Sequence, residues 1–216
     1  MTRIKVCGIT RLEDLDLALE LGVDAVGFNF VRGTPRALDE ATARALCVHA
    51  RGRTARVGVF QDAPLAHVQA LARELELEWV QLHGDEPPAY ADAVGPPVIK
   101  AVRADARASS IAQAYPSADL LLDHPSGGGS GRTWDLDAAR PLLGTGRRVW
   151  LAGGLRPDNV GAVIAAVQPF AVQPFGVDAC SGLEARPGVK DPDAVRAFVH
   201  AVRDVAPGSG ARLEQR

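Results

Sequence analysis

Residues 3–30, RIKVCGITRLEDLDLALELGVDAVGFNF, read as strand, helix, strand. RIKVC (3–7) and DAVGFNF (24–30) are short apolar runs rich in β-branched and aromatic residues, too short for helices. Between them, over 11–21, Leu12, Leu15 and Leu19, with Ala18, recur at helical spacing and form one apolar stripe. Two strands joined by a helix make a parallel βαβ unit.

The unit repeats along the chain. Further strands are predicted at 55–60, 78–82, 97–101, 118–123, 147–152 and 175–179. Further helices are predicted at 39–50, 64–75, 86–93, 106–114, 135–142, 157–167 and 192–204. Asp39, Asp62 and Asp158 sit where N-caps belong, and Pro64 and Pro157 suit a first turn. Strands this apolar are covered on both faces, as parallel strands are. Eight strands alternating with eight helices fit an α/β fold, a single closed (β/α)8 TIM barrel over 1–206. The polar, glycine-rich residues 207–216 read as a frayed tail. AVQPF occurs twice in tandem, at 166–170 and 171–175. A lengthened loop before strand 8 is the favoured reading, because surface insertions cost little. The alternative is a displaced strand 8.

The 216 residues carry 47% hydrophobic and 23% charged side chains and a net charge of -2, an ordinary globular balance. That balance points away from nucleic acid or a membrane surface as a partner. The three cysteines, Cys7, Cys47 and Cys180, are widely spaced and form no CxxC or CxxH pattern, which argues against a disulfide framework or a zinc site and for a reducing cytoplasm. The first residues lack the apolar stretch of a signal peptide.

Barrel enzymes build their sites at the C-terminal ends of the strands. Those ends carry Cys7-Gly8, then Arg32, Thr34 and Arg36, then His83-Gly84-Asp85, Asp123, Gly153-Gly154, and Asp178 with Ser181-Gly182. Gly153 and Gly154 either make a tight turn or let backbone N–H groups approach an anion. Ser181 and Gly182 at the matching place on strand 8 favour a phosphate site. Cys7 by itself reads as a small buried hydrophobe. Paired with Asp123 from another strand end, it becomes a candidate base facing a candidate acid, the arrangement an intramolecular proton shift needs. Arg36 can fork onto a carboxylate. His83 either hydrogen-bonds a ligand or satisfies a strand end. Gly127 to Gly131 suit a lid or a passive linker, Trp134 can back that loop, and Cys47 belongs to the core.

Several of these stretches together resemble the phosphoribosylanthranilate isomerase family. They are KVCGITRLEDL (5–15), VGVF (57–60), VQLHGDE (80–86), LLLD (120–123) followed by GGSG (128–131), LAGGLRPDNV (151–160) and GVDACSGLEARPGVKD (176–191). The resemblance implies a cofactor-free, metal-free Amadori rearrangement of N-(5-phosphoribosyl)anthranilate to 1-(o-carboxyphenylamino)-1-deoxyribulose 5-phosphate in tryptophan biosynthesis. It implies Cys7 as general base and Asp123 as general acid. Arg36 would meet the anthranilate carboxylate, with His83 and Asp178 near the substrate. Gly153, Gly154, Ser181 and Gly182 would hold the phosphate, in a monomer or homodimer. Cys180 stands where the family usually has serine, and Trp134 where it usually has phenylalanine. Two rivals are weaker. The histidine-pathway aminoaldose isomerase resembles a two-fold repeated half-barrel with an aspartate on strand 1, where this chain has Cys7. A non-catalytic phosphometabolite-binding barrel has no reason to keep both Cys7 and Asp123.

Overall fold

The computed structural model describes residues 1–105, 107–123, 140–143, 146–167 and 174–205. Eight parallel strands close into one barrel in sequence order. They are β1 (Arg3–Cys7), β2 (Ala25–Asn29), β3 (Ala55–Phe60), β4 (Trp79–Leu82), β5 (Val98–Arg103), β6 (Asp119–Asp123), β7 (Val149–Ala152) and β8 (Gly176–Ala179). The helices between them are α1 (Leu12–Glu20), α2 (Glu40–Ala50), α3 (Leu65–Glu74), α4 (Pro88–Ala93), α5 (Ala108–Ala114), α6 (Arg140–Leu143) and α7 (Val160–Val167), with α8 (Pro192–Arg203) last. The barrel closes through β8 on β1, with Arg3 opposite Gly176 and Val6 opposite Ala179.

Side chains alternate across a strand, so each strand feeds two cores. One set, including Val6, Val26, Phe28, Phe60, Leu82, Leu120, Leu122 and Val177, packs outward under the helices. The other set fills the barrel with Ala25, Val57, Ile99, Leu121, Trp150 and Ala152. Trp150 lies edge-on to Phe175, their ring centroids 5.2 Å apart. Arg3 and Arg148 cover the same Phe175 ring from 4.9 and 5.3 Å and close that end of the barrel. The other end is left for polar groups.

The expected elements form with local differences. Asp39 caps α2 by accepting the Thr42 N–H at 2.8 Å. Asp62 does not cap α3; it takes the Asp85 N–H at 2.7 Å and ties the β3 and β4 loops together. Asp158 pairs with Arg156, while Asn159 accepts the Arg156 N–H at 2.8 Å and braces the β7 loop. In α1 the buried face is Asp14, Leu15, Leu17 and Ala18, and Leu12 is exposed. The stripe is rotated because the Asp14 carboxylate turns inward to accept the Lys190 N–H at 3.2 Å. Lys190 lies on a short hairpin that the sequence reading did not anticipate, β9 (Glu184–Arg186) paired with β10 (Val189–Lys190). Strand β5 runs two residues past its expected end and carries Arg103 to the barrel mouth. Strand β8 keeps register with both neighbours, so the AVQPF repeat does not displace it. The rest of that repeat (168–173), the 127–131 glycine segment, Trp134, most of the helix expected at 135–142 and the 207–216 tail lie outside the described residues. No helix among the described residues is long and apolar enough to cross a membrane.

Candidate functional site

One cavity of about 490 Å³ opens at the C-terminal end of the barrel. That size suits a small phosphorylated metabolite. The residues selected from the sequence, Cys7, Arg36, His83, Asp123, Gly153, Gly154, Asp178, Ser181 and Gly182, all line it. They converge because most occupy inward-facing positions at or just past the strand ends. Asn29, Gln81, Arg103 and Cys180 line it as well and were not singled out as site residues from the sequence. Lys5 and Gln81 were missed for a physical reason. Inside the KVC and VQL runs they look like ordinary members of buried strands, and their inward register shows only once the barrel closes.

Cys7 is 8% exposed, and its sulfur fills space left by Gly27, where a β-carbon would lie 2.6 Å from it. The hydrogen bond shared with Cys180 holds the Cys7 thiol well below its ordinary pKa, helped by the Lys5 and Lys190 charges and against the effect of burial. Cys180 is pushed the other way, above its usual range, by the same hydrogen bond and by burial. Of the two thiols, Cys7 is thus the more readily ionised.

A polar chain crosses the barrel beneath Cys7. The fully buried Lys5 donates to Asp178 Oδ2 at 2.9 Å and to Gln81 Oε1 at 3.0 Å. The Gln81 amide nitrogen lies 3.1 Å from His83 Nδ1. His83 Nε2 stands 3.6 Å from Asp123 Oδ2. Burial pushes Asp178 up to about 6, against the pull of Lys5. Its Oδ1 is buried with no partner among the described residues. A buried acceptor without a donor disfavours the ionised carboxylate, in line with that upward shift.

Arg36 is held by Glu184, which accepts from Nε at 2.8 Å and Nη2 at 2.6 Å. Glu184 in turn takes Lys190 Nζ at 3.1 Å. One edge of the guanidinium is thus occupied, and a ligand carboxylate would be met by the edge formed by its two terminal nitrogens. Across the mouth, Gly153 and Gly154 adopt φ of 91° and 66°, a left-handed backbone that glycine enters without strain. Ser181 and Gly182 begin a 3-10 turn (Ser181–Leu183) directly after β8. A β-carbon on Gly182 would lie 2.1 Å from the Leu155 carbonyl oxygen, so the β7 and β8 loops touch through glycine. Two adjoining glycine loops offer a backbone cradle for an anion.

The sequence pattern of the family described as N-(5'phosphoribosyl)anthranilate (PRA) isomerase matches residues 4–201. The N-(5'-phosphoribosyl)anthranilate isomerase of Myxococcus xanthus is 44% identical over 212 residues, covering 94% of this chain and 97% of that protein. The crystal structure of phosphoribosyl anthranilate isomerase from Thermotoga maritima superposes with a TM-score of 0.86 at 38% identity, over 94% of this chain and 99% of that one. A structure of phosphoribosyl anthranilate isomerase in complex with reduced 1-(o-carboxyphenylamino)-1-deoxyribulose 5-phosphate superposes with a TM-score of 0.83 at 35% identity, over 94% and 99%.

Proposed function

The chain belongs to the N-(5'-phosphoribosyl)anthranilate isomerase family, and from that premise we propose that Cys7 and Asp123 share the acid–base work of its reaction. The enzyme converts N-(5-phosphoribosyl)anthranilate to 1-(o-carboxyphenylamino)-1-deoxyribulose 5-phosphate in tryptophan biosynthesis.

The phosphate end of the substrate sits between Gly153-Gly154 and Ser181-Gly182. The anthranilate carboxylate takes the free edge of Arg36. Gripping both ends holds the ribose between Cys7 and Asp123, and such positioning can contribute several kcal/mol to lowering the barrier. Asp123 gives its proton to the furanose ring oxygen as the C1–O bond breaks and the Schiff base forms. The resulting iminium acidifies the C2 hydrogen, which the Cys7 thiolate removes. The enolamine then tautomerises to the ketone. Asp178 lines the same cavity, near the substrate. His83 lies beside Asp123 at the same site. The observation that carries this reading is that Cys7 and Asp123 line one cavity at the C-terminal end of the barrel; the neighbouring Cys180, Lys5 and Lys190 lower the Cys7 pKa, as a base there requires. Cys7, Cys47 and Cys180 are all free thiols, which suits the cytoplasm in which we place the enzyme.

The test follows anthranilate fluorescence as substrate is consumed. Cys7→Ala and Asp123→Asn are each expected to lower kcat by at least about 100-fold, the usual loss for a general acid or base. Near-normal turnover in either variant would remove that residue from its role. Arg36→Ala is expected to raise KM more than it lowers kcat.

A further inference from the structure

The hydrogen bonds beneath the cavity leave little freedom in how the protons are arranged. Lys5 carries only donors, so the Gln81 atom 3.0 Å from its Nζ must be the amide oxygen. A flipped amide would set its NH2 against a buried ammonium group. The amide nitrogen therefore points the other way, toward His83 Nδ1 at 3.1 Å. An amide nitrogen only donates, so Nδ1 must accept and carries no hydrogen. In the neutral imidazole the single ring hydrogen is then on Nε2, the atom 3.6 Å from Asp123 Oδ2.

We propose that Lys5 and Gln81 are positioning residues that fix the tautomer of His83, so that its Nε2–H is presented to Asp123 and orients that carboxyl for proton transfer. This rests on the reading of Asp123 as the general acid. At 3.6 Å the Nε2–H faces Oδ2 from just beyond hydrogen-bond distance, and the bond that forms as bound substrate closes this gap leaves the acidic hydrogen on Oδ1, free to go to the substrate ring oxygen. Once it has gone, the new carboxylate already faces an N–H donor. The other end of the chain is equally tied down. Lys5 is fully buried, with Asp178 Oδ2 at 2.9 Å, and burial works against its charge. Asp178 and Cys7 nevertheless hold its pKa above the ordinary lysine value, so it stays a cation and a donor. One ammonium group thus lies under the base and, through one amide and one imidazole, aligns the acid.

The test is nitrogen NMR of the isomerase labelled with 15N in histidine, at about pH 8.5, two units above the ordinary histidine value, where imidazoles are neutral. The His83 resonances are assigned by their loss in His83→Asn. Wild type is expected to show the Nδ1 shift of a bare ring nitrogen and the Nε2 shift of a protonated one. Hydrogen on Nδ1 would overturn the proposal without any variant of Gln81. Gln81→Glu then sets an acceptor against Nδ1. The expected results are a reversed pair of shifts and a kcat at least about tenfold lower, a fraction of what a general acid supplies. KM is expected to change much less. Reversed shifts with unchanged kcat would remove Gln81 from its positioning role. If Asp123→Asn proves fully active while the wild-type shifts are as expected, the tautomer stands and the reading of Asp123 as acid is what fails.

Discussion

At the residue scale, the proposed base, Cys7, depends on a neighbour, Cys180; the two lie one step beyond the last paired residues of β1 and β8, Val6 and Ala179. Cys180 shares a hydrogen bond with Cys7, and its Sγ lies 3.8 Å from Glu184 Oε1 and 3.9 Å from Lys190 Nζ. Removing that hydrogen bond by Cys180→Ala takes away the largest influence lowering the Cys7 pKa, so the Cys7 pKa is expected to rise. A base works only when deprotonated, so the acid-side limb of kcat/KM moves to higher pH, and activity at neutral pH falls while activity at alkaline pH is retained. A pH profile of kcat/KM for the variant against wild type reads the shift. An unmoved limb would mean that this hydrogen bond does not govern the titrating group. Cys7 was legible in the sequence as a strand-end residue with a possible partner acid. Cys180 was not, because as a residue type it reads as packing, and its role comes from the strand lying beside it.

At the element scale, the β7 and β8 loops act as a single unit. Asn159 accepts the Arg156 N–H and donates to the Gly154 carbonyl at 2.9 Å, which fixes the first loop. Gly182 brings the second against Leu155. Gly182→Ala puts a carbon 2.1 Å from a carbonyl oxygen and 2.8 Å from Arg156 Cγ, so the loops must part. Overpacking of this kind costs about 1–3 kcal/mol. The variant is expected to raise KM for the phosphorylated substrate with a smaller change in kcat, and to lower the melting temperature. Steady-state kinetics with thermal melts checks both, and an unchanged KM would argue against a phosphate site between these loops. The GG and SG pairs were plain in the sequence. Their contact was not, since Gly154 and Gly182 are 28 positions apart and only barrel closure sets β7 beside β8. The β9–β10 hairpin escaped for a related reason. Its strands are three and two residues long, too short for any periodicity to register.

At the scale of the whole molecule, the barrel has one apolar end and one polar end. Trp150 is fully buried in the barrel interior and packs against Phe175, which Arg3 and Arg148 cover from outside. Trp150→Ala empties the middle of a closed structure whose strands cannot collapse inward independently. The expected cost is about 3–5 kcal/mol, as for other large-to-alanine core changes. Denaturant unfolding followed by circular dichroism measures it. A loss below about 1 kcal/mol would mean that the interior repacks more readily than closed strands should allow. The polar end tolerates Lys5, Asp178 and Gln81, all nearly inaccessible, because each meets a hydrogen-bonding group on a neighbouring or facing strand.

The alternation of strands and helices, hence the barrel, was written in the order of the residues. That order also determined which residues stand at the strand ends, because local periodicity and strand-end position are properties of consecutive residues. The placement of Cys7, Asp123, Arg36, His83 and Asp178 around one mouth followed from that count. The arrangement of polar groups in that mouth came from the folded chain: Cys180 beside Cys7, the Glu184 brace on Arg36, and the chain from Lys5 through Gln81 and His83 to Asp123. These are contacts between residues up to 173 positions apart, such as Lys5 and Asp178. Their energies depend on burial and on distances of a few ångströms, which exist only after the eighth strand has closed on the first.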